Sequence, residues 1–596
     1  MASISAEKAN KKRIACRIGA MAAAISLAFA TAAVSTASAQ VSASASSASS
    51  SDAAAGEAKV AIAGNHPAEA ADLTSGPEIA STKSLRMEVV LALHNRAALD
   101  ALIAAQQDRS SPQYHQWLTP AEFSARFGPT QSDVAAVSSW LSGQGFSVES
   151  QSLPMRKIVF SGAAANAEST FGVKIHTDQT QTRFANLSDP VVPKSIASSV
   201  ASIRGLSNLG HALPALELSP NFSSVPDVKI GKVTHFGPND LYTFYDEAPP
   251  TSSSNNGTGA DCIAVAEDSD FDDGSVIAFD NQFGVAAIDS VRIYADGSDP
   301  GESGNDAIEA LLDVEYAHAA APGVPIYAYI GNNLASPDGS GVLDAAAKAV
   351  SDDTCGAISL SFSFCGQPSS FYTGSIDPIA AQAASQGQAV FASSGDFGAA
   401  GYVEQNDTCV PGSTRNVSEL SADPNITAVG GTQFTPHYKK GNDFSHTRES
   451  IWKDKSGSGG GGESGIFPKP TYQSGLISTD TNRDVPDVSL AASPLHPGFF
   501  LGYNDAIYCC IGGTSLSAPY WAGIAQLAAQ KSGATRVGPL NPTLYSIASG
   551  GGIRDVTKGN NTFHKVTGFK ATAGYDRSSG LGSPDIDNLT SAIAAH

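Results

Sequence analysis

From about Pro238 onwards, strongly apolar runs recur along the chain: "CIAVAED", "VRIYAD", "PIYAYI", "AISLSFS", "AVFASSGD" and "ITAVGG", with helical stretches between them. Strands this uniformly apolar must be covered on both faces, which a parallel sheet flanked by helices provides. Residues 238–596 are therefore expected to form an α/β domain. Functional loops of such a sheet lie beyond the carboxyl ends of its strands, and "AVFASSGD" ends at one such place.

The preceding 237 residues follow other rules. Lys8, Lys11, Lys12, Arg13 and Arg17 precede an apolar run from Ile18 to Ala30, and "ASAQ" offers small residues for cleavage after Ala39. Residues 1–39 thus read as an export signal, whose run is too short to span a bilayer comfortably. A secreted or periplasmic product is expected, with no membrane association once the signal is removed. Residues 40–84 are rich in Ala and Ser, lack periodicity and read as a flexible leader.

Residues 85–206 change to short alternating elements: "MEVVLAL" as a strand, "RAALDALIAAQ" and "TPAEFSARFG" as helices, and "DVAAVSSWLSGQG" as a helix ending at glycine. The strands "FSVES" and "KIVFSG", a helix through "NAESTFG" and the strand "VKIHTD" follow. Thr119, Pro120 and Glu122 have the spacing of an N-cap, a first helical position and a capping box. This order packs naturally as a ferredoxin-like α+β domain. Residues 207–237 are irregular and contain proline, and are expected to link the domains and carry a maturation site.

Acidic residues outnumber basic ones 57 to 36, a net charge of -21. Such a chain has no broad basic surface to neutralise phosphates, so nucleic acid is not an expected partner. The excess of carboxylates is compatible with an acid habitat, where protonation relieves their repulsion. Of seven cysteines, Cys16 leaves with the signal. The other six, Cys262, Cys355, Cys365, Cys409, Cys509 and Cys510, favour disulfides over metal in an oxidising compartment. Cys355 with Cys365 is expected as a local loop, and the adjacent Cys509 and Cys510 are expected to reach different partners.

The chemistry concentrates in three places. In "GGTSLSAP", Ser515 opens a run with the apolar spacing of a buried helix, whose unpaired first N–H groups would hold an oxyanion beside a nucleophile. A Ser/Thr cap before a core helix has the same letters. In "GNDAIEALLDVEYAHAAAPG", Glu309 and Asp313 stand four apart and share a helix face, where like charges repel unless burial makes them share a proton. Such a pair suits acid, in which histidine is already protonated and a glutamate near ~4.3 still accepts a proton. Read structurally, Asp306 and Glu309 fit a capping box and Asp313 a solvated position. In "FASSGDFGAAG", Asp396 follows Gly395 at a strand end; kept neutral, it would donate to a developing oxyanion.

Taken in order, Glu309-x-x-x-Asp313, "SSGDFG" and "GGTSLSAP" resemble the sedolisin family of serine-carboxyl peptidases. "SPQYHQWLTPAEFSARFGPT" and "WLSGQGFSV" resemble the pro-kumamolisin activation domain that precedes these enzymes, and "DPNITAVGGTQF", "SGSGGGGESGIFPKPTYQ" and "RDVPDVSLAA" extend the similarity. The resemblance implies a subtilisin-like catalytic domain over 238–596. It also implies Ser515 as nucleophile, Glu309 as general base, Asp313 as the group orienting Glu309, and Asp396 as oxyanion stabiliser. "IRDVTKGNN" with "KATAGYDRSSGLGSPD" resembles the family's calcium loop, implying one Ca2+ held by the Asp555 and Asp576 carboxylates and the carbonyls of Val556, Thr572 and Gly574. Thr572 stands where the family usually has glycine.

The implied protein is an acid-acting, self-processing zymogen that hydrolyses protein or peptide substrates as a monomer. Its own pro-domain is the intramolecular inhibitor, released by acid. Endopeptidase action is the first reading; a tripeptidyl-peptidase of the same family and a catalytically silent calcium-binding secreted protein stay open. An ordinary subtilisin is disfavoured, because none of the 12 histidines precedes Gly-Thr.

Overall fold

Ser84–Leu91 (β1), Ser147–Ser152 (β2), Lys157–Ala163 (β3) and Val200–Arg204 (β4) pair antiparallel in the order β2-β3-β1-β4. With helices Gln131–Gly143 and Ala164–Phe171 in the crossovers, this is the ferredoxin-like order expected for the domain. The computed structural model describes residues 57–225, 235–247, 261–286, 290–434, 449–477 and 480–596; the expected export signal lies outside them. Helix Pro120–Phe127 begins as its sequence requires: the Glu122 N–H donates to Thr119 Oγ1, and the Thr119 N–H to the Glu122 carboxylate.

Three expectations are corrected here. "VKIHTD" is not the fourth sheet strand: Ile175–Thr177 pairs with Phe184–Asn186, and β4 takes the place beside β1. Alternation identifies a strand but not its partner. From residue 57 the leader is structured: Lys59–Ala61 pairs with Val191–Pro193, and Ile62, Ala70, Leu73 and Ile79 are buried. These apolar residues follow neither a period of 2 nor of 3.6, because they fill the edges of another element's core. Within the supposed linker, His211–Pro214 (β5) and Glu217–Ser224 (β6) are strands, and both pair with the catalytic domain.

The apolar runs become Cys262–Glu267 (β7), Val291–Tyr294 (β8), Ile326–Ile330 (β9), Cys355–Leu360 (β10), Ala389–Ser393 (β12) and Ile426–Phe434 (β13), with Phe362–Cys365 (β11) directly after β10. They form one sheet, ordered β8-β9-β7-β10-β12-β13, in which every neighbouring pair is parallel. Glu449–Ile451 (β14) closes it antiparallel, and Val488–Ala491 (β15) also joins β13. Gly498–Tyr503 (β16) and Ala506–Gly512 (β17) pair antiparallel in a second sheet, where β17 also receives β6.

Two helices carry the site. Gly304–Ala320 (α1) and Thr514–Ser532 (α2) pack against each other, and α2 also lies on β10, β12 and β13. Gly523 permits the close approach: a Cβ there would lie 2.4 Å from the Ala320 Cβ. Ile263, Val265, Leu311, Leu312, Phe391 and Trp521 form part of the core between helices and sheet.

The disulfides also differ from expectation. Cys262 bonds to Cys355, Cys365 to Cys409, and Cys509 to Cys510. Cys262 and Cys355 sit opposite each other on neighbouring strands, so sheet register pairs them across 93 residues. Cys509 and Cys510, expected to reach different partners, bond to each other.

Candidate active site

The acid pair rides on a helix buried on every side. Ala307 to Ala320 of α1 are all buried, and Glu309 and Asp313 have no exposed surface. Asp313 accepts a hydrogen bond from Ser361 Oγ at 2.8 Å. The Glu267 and Glu309 carboxyls lie close enough to Asp313 to shift its titration, although no well-aligned hydrogen bond joins the three among the described residues. Burial is the main cause that raises all three: Asp313 is pushed up to about 8, and Glu309 and Glu267 lie well above the usual range, with the Asp313 charge adding to both. The three acids titrate as one cluster.

Glu267 was missed in the sequence. Its signal was an acid closing the apolar run of β7 at the carboxyl end of a parallel strand, where functional loops lie.

Ser515 enters from the other helix. β17 leads into Gly513, whose φ of 124° is open to glycine, and α2 starts at Thr514. The Ser515 hydroxyl donates to the Ser361 carbonyl at 3.1 Å. It also lies near enough to Glu309 to lower that carboxyl's pKa in part, though both Glu309 oxygens lack a well-aligned hydrogen bond among the described residues. Pro519 has no N–H to return to the Ser515 carbonyl one turn back; Ser361 Oγ reaches that carbonyl at 3.3 Å. Ser361, between β10 and β11, therefore touches both the acid cluster and the serine, and no sequence signal marked it.

Asp396 lies just beyond β12. Its Oδ1 accepts from the Thr514 N–H at 2.8 Å and from Thr514 Oγ1 at 2.7 Å, which ties it to the first turn of α2. Its Oδ2 has no partner among the described residues. Burial pushes the carboxyl up to about 7 against the pull of Thr514, so in acid it is neutral and able to donate. The structure thus brings Ser515, Glu309, Asp313 and Asp396 to one place, with no imidazole hydrogen-bonded to the serine among the described residues.

A second cluster forms near the carboxyl end. Gly574 N–H donates to Asp555 Oδ2, and Thr572 N–H to Asp576 Oδ2, each at 2.8 Å. Ser579 Oγ reaches both Asp576 Oδ2, at 3.2 Å, and the Val556 carbonyl, at 3.4 Å. These contacts tie the Asp555–Val556 segment to the 572–579 loop, and the carboxylates and carbonyls of the two segments are hard oxygen donors of the kind calcium takes.

Comparison with known proteins accords with this architecture. The pro-kumamolisin activation domain family matches residues 71–209. The chain is 28% identical over 552 residues to sedolisin of Pseudomonas sp. (strain 101), covering 89% of this chain and 91% of that protein. It is 28% identical over 561 residues to kumamolisin of Bacillus sp. (strain MN-32), covering 90% and 96%. The solved structure of Pseudomonas sedolisin, a serine-carboxyl proteinase complexed with two molecules of pseudo-iodotyrostatin, matches with a TM-score of 0.53 at 27% identity, over 61% of this chain and 100% of that one. Fold, activation domain and relatives define the class: a serine-carboxyl peptidase, a hydrolase built with a pro-domain. Over most of its length the chain is similar to members of the sedolisin family. Among the described residues no helix is long and apolar enough to cross a membrane.

Proposed function

We propose that this protein is a secreted, acid-acting endopeptidase that cleaves proteins through an acyl-enzyme on Ser515. The observation that carries the reading is Ser361, which donates a hydrogen bond to Asp313 from its hydroxyl and accepts one from the Ser515 hydroxyl on its carbonyl. The buried acids and the serine are thereby held in one hydrogen-bonded unit.

In this mechanism Glu309, which shares the protons of the cluster with Asp313 and Glu267, takes the Ser515 proton as Oγ attacks the substrate carbonyl. Asp313 and Glu267 hold Glu309 in place and spread the charge. The developing oxyanion is met by the Ser515 N–H and a neutral Asp396. Glu309 then gives its proton to the leaving amine, and water resolves the ester by the same route.

The pro-domain is docked by buried charge. Arg204 of β4 donates to Asp338 at 2.8 and 2.6 Å and to Ser336 at 2.9 Å, and Lys157 of β3 pairs with Asp344 at 2.9 Å. Burial raises Asp338, but Arg204 outweighs it and the carboxyl lies below its ordinary value. Its contribution to docking is present above the free carboxylate range and is lost as pH falls through the lowered value, the direction an acid-released inhibitor needs.

The test uses denatured protein at about pH 4, inside the carboxylate range, with Ser515→Ala as control. Internal fragments support the endopeptidase reading, serial release of tripeptides replaces it with the tripeptidyl alternative, and no Ser515-dependent cleavage leaves a silent binding protein.

The reading includes one calcium ion, held by Asp555, Asp576 and the carbonyls of Val556, Thr572 and Gly574. It would clamp the 553–556 segment to the 572–580 loop. A chelator is expected to lower the melting midpoint by several degrees, with recovery on adding Ca2+, because an ion that binds only the folded state stabilises it. An unchanged midpoint, or a Asp576→Asn variant that still responds, removes calcium from the account.

A further inference from the structure

The chain joining the two domains runs through the candidate active site. β5 lies antiparallel on β11, with Ala212 opposite Phe364 and Pro214 opposite Phe362. On the far side β6 lies antiparallel on β17, with Glu217 opposite Gly512 and Leu218 opposite Ile511. Between the two strands, Ala215 is 1% exposed. Its N–H donates to the Ser361 carbonyl at 2.9 Å, and its own carbonyl oxygen accepts the Ser515 N–H at 3.1 Å.

Those bonds present a single peptide group to the serine. The Ala215 oxygen occupies the position where an oxyanion donor points. Gly513 marks the spot: a Cβ there would lie 2.1 Å from the Ala215 oxygen and 2.8 Å from Asp396 Oδ2, so both oxygens crowd one Cα. The unpartnered Oδ2 of the buried Asp396 therefore lies on the same side of Gly513 as this carbonyl. The Ser361 carbonyl receives both the Ala215 N–H and the Ser515 hydroxyl, which places the hydroxyl beside the same residue. Pairing through main chain on both sides is the way an extended peptide is added to sheet edges.

We propose that Ala215–Leu216 is the first bond the enzyme cuts in itself, and that its flanking residues show what the cleft accepts: a small residue before the bond preceded by proline, and an aliphatic residue then an acid after it. The proposal rests on the reading of Ser515 as nucleophile. Ser515 Oγ bonds to the Ala215 carbonyl carbon while its proton passes to Glu309. The bond from that carbon to the Leu216 nitrogen then breaks, and the nitrogen takes the proton. Water, losing a proton to Glu309, adds to the ester, and Ser515 Oγ leaves with that proton. The products are a pro-segment ending in the Ala215 carboxyl and a mature chain beginning at the Leu216 amine.

Glu217 enters the cleft as a neutral acid. Burial first, then the charges of Asp396 and Asp454, push it up to about 9.

The test follows intact masses in time after the full-length precursor is acidified, for the wild type, Leu216→Pro and Ser515→Ala. A peptide with the sequence of residues 211–220 is offered in parallel to the activated enzyme, an arm that does not depend on the folding of the proline variant. The earliest fragments are expected to end at Ala215 and begin at Leu216. Leu216→Pro is expected to slow that cut by at least about 100-fold, because proline displaces the leaving amide from its attack geometry. The peptide is expected to be cut between its second alanine and the leucine that follows. A first cut elsewhere that Leu216→Pro leaves unchanged, or an intact peptide in a sample that digests denatured protein, overturns the proposal and leaves the nucleophile standing. Absence of any Ser515-dependent cleavage overturns both.

Discussion

Replacing Glu309 with Gln is expected to slow single-turnover self-processing of the precursor by about 10^2- to 10^4-fold, the range of a lost general base. The amide keeps the size of the side chain and leaves α1 packed, so the melting curve should change little. What it loses is the ability to accept the Ser515 proton. Residues that act as a unit are not additive, so Ser515→Ala added to Glu309→Gln should cost little beyond Ser515→Ala alone. A double variant much slower than either single one would mean that Glu309 acts apart from the serine.

The next largest effect is expected at Asp396. Asp396→Ala removes a donor to the oxyanion and should lower kcat by about 10^2- to 10^3-fold. Asp396→Asn is the discriminating change. Oδ1 already accepts from Thr514, so the amide nitrogen falls where the unpartnered Oδ2 stands and can donate. The Asn variant should recover much of the loss and, having no proton to lose, should stay active as pH passes the value of about 7 at which Asp396 ionises. Equal loss in both variants, with unchanged pH limits, would show that Asp396 serves only to hold Thr514.

How legible this was varies along the chain. The parallel sheet was readable because burial on both faces leaves continuous apolar runs, and helix Pro120–Phe127 because its capping residues are local. The full burial of α1 was not: Glu309 and Asp313 form what a periodicity argument takes for a solvated face, Glu315 lies on another, and only a second layer of structure covers them. Glu267 and Ser361 are single polar residues at strand ends, whose meaning depends on what folds beside them. β5 and β6 carry no core pattern of their own, since their main chain rather than their side chains makes the pairing. The partner of Cys262 likewise followed sheet register, which the cysteine spacing does not encode.

The claim beneath the mechanism is that buried carboxyls, with no imidazole, activate Ser515. The pH dependence of kcat/KM on a neutral peptide tests it most directly. Activity is expected already in acid, where a free imidazole is protonated, and is expected to fall as Asp396 ionises near about 7. A profile that is flat and low in acid and climbs through one step near about 6.5, the value of a free histidine, would contradict it.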